Sequence, residues 1–269
     1  VSLYGFCVAT QSGESFQQAH ARQVGVYGQP SVVRWFDSGS ASAGAWNPGN
    51  ANLRWLLAQP AAVFPTFKCD PELISNGSQD AKLRTHIGQL RAGRDVFGYW
   101  HEREDEVLAG TYSVADFQRA DARIRAIIDA TNPGLDFGAV VMEYSMRPER
   151  GPTRPLSDYF VPGVHTSLWF DVYSGYAEGS GYVLDPQTQF GKLAALALKH
   201  GVQWGIGELG SGVRPAGRPE FPTRAQWLET RTGWLLSCAR PPRWVCYFAK
   251  GGSVLDGDPA AAAVMQKVA

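Results

Sequence analysis

The chain has four cysteines, Cys7, Cys69, Cys238 and Cys246, and no two of them form a CxxC pair. A zinc ribbon or a thioredoxin-type redox motif is thereby excluded. The bland reading is four small buried hydrophobes, with one or two disulfides if the protein is exported. Charge of one sign is also missing. Lys plus Arg number 25, Asp plus Glu number 25, and the formal net charge is zero. Such a balance gives no electrostatic reason to expect nucleic acid or an anionic membrane as partner. No apolar run approaches the ~20 residues of a membrane-spanning helix. No GxGxxG or P-loop follows the first strand-like run, and no GxSxG elbow occurs. Low-complexity tracts and linkers are lacking too. No signal peptide is visible, but the sequence opens at Val1 without Met. A trimmed mature form is expected, secreted or extracellular.

Aromatic residues are what the chain has in quantity: nine Trp, ten Tyr and thirteen Phe. Hydrophobic residues make up 44% and charged residues 19%, ample for a core. The apolar runs predict eight strands: Leu3–Val8, Ser31–Phe36, Ala61–Phe67, Val96–Arg103, Phe137–Tyr144, His165–Tyr173, Val202–Gly210 and Arg243–Phe248. Helical spacing falls between them: Ser15 to about Val24, a short stretch at Leu53–Leu57, and Gln79 to about Ala92. Ser113, with Asp116 three residues on, predicts a capped helix to about Ala130. Pro186–His200 closes at Gly201, and Thr223–Ala239 and an Ala-rich stretch from Asp258 complete the set. The strands are continuous apolar runs rather than alternating ones, as when both faces are buried. Eight βα units in 269 residues predict an α/β fold, a (β/α)₈ barrel forming one domain over 1–269. A doubly wound open sheet is the competing architecture.

Barrels of this kind work at the C-terminal ends of their strands. Those ends supply Arg34, Trp35 and Asp37, then Lys68 and Asp70, then Trp100, His101 and Glu102. Further round come Glu143 and Tyr144, Asp171 and Tyr173, Glu208, and Phe248 with Lys250. Carboxylates and aromatics dominate this rim, and His and carboxylates do not cluster at metal-ligand spacing. Partial burial of a carboxyl at a strand end raises its pKa toward neutrality, which suits a general acid. Two carboxylates with aromatic platforms match what glycosidic-bond cleavage needs. Glu102 and Glu208 are the expected pair. The run Glu104-Asp105-Glu106 is expected to be a solvated loop face, and Trp204 a core residue.

The pairing of His101-Glu102 at the end of strand four with Gly207-Glu208-Leu209-Gly210 at the end of strand seven resembles clan A glycoside hydrolases. Within that clan the sequence looks most like family 26, which includes the β-mannanases, because His precedes the strand-four Glu. The Asp171-x-Tyr173 of strand six is similar to the family pattern as well. The resemblance implies a retaining hydrolase of β-linked polysaccharide or oligosaccharide, and endo action is expected of it. It implies Glu102 as acid/base, Glu208 as nucleophile, and Tyr173 hydrogen-bonded to the nucleophile. Substrate contacts are expected from His101, Tyr173, Arg34, Trp35, Trp100, Tyr144, Asp171 and Phe248, the last standing where the clan has Trp. No metal or organic cofactor is expected, and the partner is a carbohydrate taken up by a monomer. Two rival readings stay open. One is a non-enzymatic carbohydrate-binding barrel. The other is a hydrolase outside sugar chemistry that pairs Glu102 with Glu143 or Asp171.

Overall fold

Reciprocal capping fixes where three helices begin. Ser15, Ser113 and Thr223 each accept from the backbone N–H three residues on, and Gln18, Asp116 and Gln226 return a bond to the cap. Each box satisfies two N–H groups that a helix end leaves over. In the computed structural model, which describes residues 4–37, 46–143, 155–174, 184–214, 216–248, 255 and 257–268, strands and helices alternate as follows. The strands are β1 (Tyr4–Cys7), β2 (Val32–Asp37), β3 (Ala62–Phe67), β4 (Val96–Tyr99), β5 (Asp136–Met142), β6 (Ser167–Tyr173), β7 (Gln203–Gly210) and β8 (Val245–Phe248). The helices are α1 (Phe16–Tyr27), α2 (Ala51–Leu57), α3 (Pro71–Ser75), α4 (Asp80–Gln89), α5 (Arg103–Leu108), α6 (Val114–Thr131), α7 (Pro186–His200), α8 (Arg224–Ser237) and α9 (Pro259–Gln266). The eight strands close a barrel in chain order, the (β/α)₈ architecture. All four cysteines are free thiols.

Two compact units make up the chain, Arg34–Phe170 and Val1–Val33 with Asp171–Ala269. In the first, β3, β4 and β5 pair in parallel, and α6 packs on α3 and α4. Strand side chains alternate between faces. Phe67, Phe97 and Tyr99 take the helix side, where His86 of α4 lies 5.2 Å from Phe97 and 6.2 Å from Phe67 by ring centroid. Phe64, Thr66 and Gly98 take the other side, where a Cβ on Gly98 would come 2.6 Å from Thr66 Cγ2. Trp169 fills that side, with its indole 2.5 Å from where Gly138 would carry a Cβ. In the second unit β1 and β7 both pair in parallel with β8. Tyr4, Tyr27 and Tyr247 form a buried aromatic cluster between these strands and α1, and α9 covers α1 and α8.

Three expected features differ. Strand four ends at Tyr99 rather than running to Arg103, and the charged run after it is helix α5, not a solvated loop. Arg103 and Glu104 are fully buried, whereas Asp105 is exposed. The helix expected over Gln79–Ala92 stops at Gln89. The next turn is diverted because Arg91 chelates Asp95 and donates to the carbonyls of Leu57, Gln59 and Ala61.

His86 gives the fold a pH dependence. Its ring sits among Trp46, Phe67 and Phe97, and neither nitrogen finds a hydrogen-bond partner among the described residues. Burial pushes its pKa down to about 3 from 6.5. An unfolded chain takes up this proton near pH 6.5 and the folded one does not. The stability His86 contributes is therefore whole above that pH and is lost as pH falls toward 3. Burial lowers His20 and His101 in the same direction. Urea midpoints should drop between pH 7 and 4, with roughly 3 kcal/mol of the loss due to His86. In His86→Leu that part of the slope should vanish; parallel curves for the two proteins would contradict the assignment.

Candidate active site

In the unit Arg34–Phe170, the residues after β4 break the strand's alternation. Trp100 has φ 47° and Glu102 φ 58°, both in the left-handed region. Each such residue costs on the order of 1–3 kcal/mol and persists only where its surroundings fix it. Regular alternation would put Trp100 on the same side as Gly98. The left-handed turn sends it the other way, against Tyr112 and Phe117 of the helix layer, with centroids at 5.2 and 5.3 Å. His101 is released to the inner side. Its Nδ1 lies 3.4 Å from Thr66 Oγ1, and its ring meets Phe36 edge-on at 5.0 Å. Burial first, then the positive charges of Arg34 and Lys68, hold the His101 pKa well below its usual range, so the ring is neutral. The Arg34 guanidinium lies over the rings of Phe36 and Phe64, at 4.9 and 4.3 Å.

Glu102 is the half-buried residue that precedes α5, and its side chain does not cap that helix. The two residues behind it are tied down. Arg103 Nη1 is 2.5 Å from Asp121 Oδ2, and Nη2 donates to Tyr99 O at 2.8 Å. Asp121 Oδ2 also lies 3.3 Å from His165 Nε2. Val161 N–H donates to His165 Nδ1 at 3.0 Å, so the ring's own proton belongs on Nε2, facing Asp121. Burial pushes the Asp121 carboxyl up, but the Arg103 charge, with the hydrogen bonds of His165 and Arg103, outweighs it, and the pKa ends below the usual carboxylate value. Glu104 Oε1 accepts from Met142 N at the end of β5, at 2.7 Å.

The other unit carries Asp171, Tyr173, Glu208 and Phe248. Ile206 aligns with Val245 but Leu209 aligns with Tyr247, three steps on β7 against two on β8. This is a β-bulge, and it reverses the alternation. Tyr247 packs on Tyr27 of α1, at 5.9 Å, so Val245, Tyr247, Ile206 and Leu209 all face the helices. Without the extra residue Glu208 would share that face, being two positions beyond Ile206. With it, Glu208 turns to the opposite side, buried at 2% exposure. There the Tyr173 hydroxyl donates a short hydrogen bond to Glu208 Oε2. Tyr173 stands edge-on to Phe248, with centroids 5.8 Å apart and planes at 84°. Asp171, two residues earlier on the same strand face, brings a carboxylate oxygen within 4.8 Å of one on Glu208. Two such oxygens could attract a cation, but the Tyr173 donor already engages Glu208 as an anion would be engaged.

Tyr173, Glu208, Asp171 and Phe248 come together in one unit, and Arg34 and His101 in the other. Trp100 is a correction: it is 0% exposed and supports the turn from the helix side instead of offering a face to a sugar. Trp35 follows Arg34 on β2 and therefore points to the opposite face. Phe36 is the β2 aromatic that meets His101, and i, i+2 alternation from Arg34 could have found it. Trp204 is core, with its indole N–H on Arg240 O at 3.0 Å. Tyr144 and Lys250 lie outside the described residues. The sequence reading missed Asp121, although a charge inside the apolar stripe Phe117, Ala120, Ile124 and Ile128 was a visible signal.

No family model matches the sequence, and neither does any curated protein. Solved structures do resemble the fold. The catalytic domain of a family GH26 endo-beta-1,4-mannanase from Bacillus sp. JAMB-750 superposes with TM-score 0.65 at 14% identity, over 99% of this chain and 85% of that one. A glucosidase from Croceicoccus marinus gives TM-score 0.62 at 15% identity, over 99% and 67%. A family GH128 (subgroup I) endo-beta-1,3-glucanase from Amycolatopsis mediterranei, in complex with laminaripentaose, gives 0.58 at 13%, over 100% of both chains. The barrel is therefore of the kind these glycoside hydrolases use. Among the described residues no helix is long and apolar enough to cross a membrane.

Asp121→Ala should cost about 3–5 kcal/mol, because it strands the Arg103 charge in the interior. Removing both charges in Arg103→Met/Asp121→Leu should cost far less. Denaturant titration of the two proteins checks the order; equal losses would contradict it.

Proposed function

We propose that the protein is a retaining glycoside hydrolase, β-mannanase-like, that cleaves β-linked polysaccharide or oligosaccharide as a single catalytic domain. The observation that carries this reading is the Tyr173 hydroxyl donating to Glu208 Oε2 on the face to which a bulge turns Glu208. A carboxylate gripped at one oxygen by a phenol is oriented to use the other as a nucleophile. Glu102 at the end of β4, among the described residues the only strand end bearing both a left-handed turn and an adjacent neutral His, is assigned as its partner.

In the first step Glu208 attacks the anomeric carbon while Glu102 gives its proton to the glycosidic oxygen. The bond from that oxygen to the anomeric carbon breaks, and a glycosyl ester forms on Glu208. In the second step Glu102 takes a proton from water, the water oxygen bonds to the anomeric carbon, and Glu208 leaves as carboxylate. His101, neutral and held against Thr66 and Phe36, can hydrogen-bond a sugar hydroxyl without adding charge beside the acid. Phe36 and Phe248, both half-buried, offer apolar walls, and Arg34 and Asp171 offer polar contacts.

A reducing-sugar assay on β-1,4-mannan and β-1,3-glucan tests the proposal. Glu102→Ala and Glu208→Ala should each leave the fold intact and reduce turnover on the order of 10²–10⁴-fold. Tyr173→Phe should lower it about 10–100-fold, the value of a hydrogen bond to a charged group. NMR of the first-formed sugar should show the anomeric configuration of the substrate. An inverted product would rule out the covalent route, and sugar binding without turnover in the wild type would favour a non-enzymatic carbohydrate-binding barrel.

A further inference from the structure

We infer that Arg103 and Asp121 are positioning residues for Glu102: together they clamp the strained turn Trp100-His101-Glu102 in the one conformation that delivers an acid and its neighbouring imidazole to the same side of β4. The inference rests on the proposed role of Glu102 and adds two residues that make no contact with substrate.

The geometry of the clamp is specific. Arg103 Nη2 reaches back across the three turn residues to Tyr99 O, 2.8 Å away, and so links the residue after the turn to the one before it. Nη1 is committed in another direction, to Asp121 Oδ2 of α6. One planar guanidinium thus fixes the end of β4, the start of α5 and the flank of α6 at once, which a lysine ammonium cannot do with a single point charge. Asp121 is itself held in place by His165. The guanidinium also lies over the Phe117 and Tyr99 rings, 5.2 and 5.7 Å from their centroids. Glu104 adds a second tie, to the end of β5. Nothing in this network reaches solvent, since Arg103, Glu104 and Asp121 are each 0% exposed.

A pair of buried charges is a poor device for stability alone, because well-packed apolar groups of the same volume commonly do as well. What apolar groups cannot supply is direction. The turn has two non-glycine residues in the left-handed region, and without a directional tether it would relax to ordinary backbone angles. Relaxation would restore strand alternation, bring Trp100 inward and carry His101 to the helix side, so that the acid and the imidazole would no longer share a side.

The test compares wild type with Arg103→Met/Asp121→Leu, which removes both charges while keeping apolar volume, and with Arg103→Lys. Denaturation first establishes that each is folded. Carbon chemical shifts of selectively labelled Trp100 and Glu102 then report the turn directly, with no need of activity. Turnover is measured on β-1,4-mannan and β-1,3-glucan, and on the 2,4-dinitrophenyl β-glycosides of mannobiose and laminaribiose with azide present. Dinitrophenolate departs without a proton, and azide attacks the glycosyl ester without a base, so these substrates bypass the acid. We expect the double variant to lose the left-handed shifts and about 10²-fold of its polysaccharide turnover, while the azide-assisted aryl reaction changes by less than ~10-fold. Arg103→Lys should fall in the same pattern, being unable to make both bonds. Unchanged shifts in the double variant overturn the inference whatever the activity. So does an equal loss on polysaccharide and aryl substrates, which a merely structural role would give. A wild type inert on all four substrates would instead refute the hydrolase reading, and the shifts would still decide whether the pair clamps the turn.

Discussion

A β-strand sends successive side chains to opposite faces, and that rule sets the problem this structure has to solve. The core needs every second residue of β4 and β7 on the helix side, where Phe97, Tyr99, Trp204 and Ile206 lie buried. Regular continuation would leave His101 on the wrong side of its strand and Glu208 on the wrong side of its own. Both strands break the rule just before the residue assigned a role in the proposed site, by different means. At β4 the break is conformational: a left-handed Trp100 swaps places with His101. At β7 it is an added residue that the partner strand does not match. Breaks of these kinds are known to gather at active sites, where aiming a side chain outweighs regular pairing.

The two breaks are supported differently. The bulge needs little, because backbone groups around it find partners of their own: Ser174 N–H donates to Gly210 O, Gly212 N–H to Ser174 Oγ, and Ser211 Oγ pairs with Tyr247 OH at 3.0 Å. The left-handed turn stores strain, and its surroundings carry buried charge. Arg103 and Glu104 follow directly, and each spends its charge on a fixed group within the unit. The same economy appears at the other end of β4, where Arg91 and Asp95 bind three carbonyls and Val63 N–H. Short β4, only four residues long, is thus pinned by an Arg–Asp pair before it and another after it.

Much of this was legible. Continuous apolar runs separated by helical spacing specify the barrel, and Ser113, Gly201 and Asp258 mark helix ends because their chemistry suits those positions and little else. Glu102, Glu208 and Tyr173 were legible because each ends an apolar run. What was not legible depends on burial of charge. Composition alone makes Glu104-Asp105-Glu106 a solvated segment, and only partners on α6 and β5 give a helix in which Arg103 and Glu104 are buried. Trp100 misled for the opposite reason: an aromatic at a strand end resembles a sugar platform until a positive φ removes it. Trp35 and Phe36 were separable by alternation alone, since Arg34 and Phe36 share a face.

The mismatch between β7 and β8 has a consequence for how this chain can vary. Substituting residues around Glu208 changes contacts, but changing the number of residues changes parity. A chain one residue shorter between Ile206 and Leu209 would pair more evenly with its neighbour and gain a longer uninterrupted ladder. It would also rotate its acid into the helical shell. Length, not composition, decides at that point which face of the strand Glu208 takes.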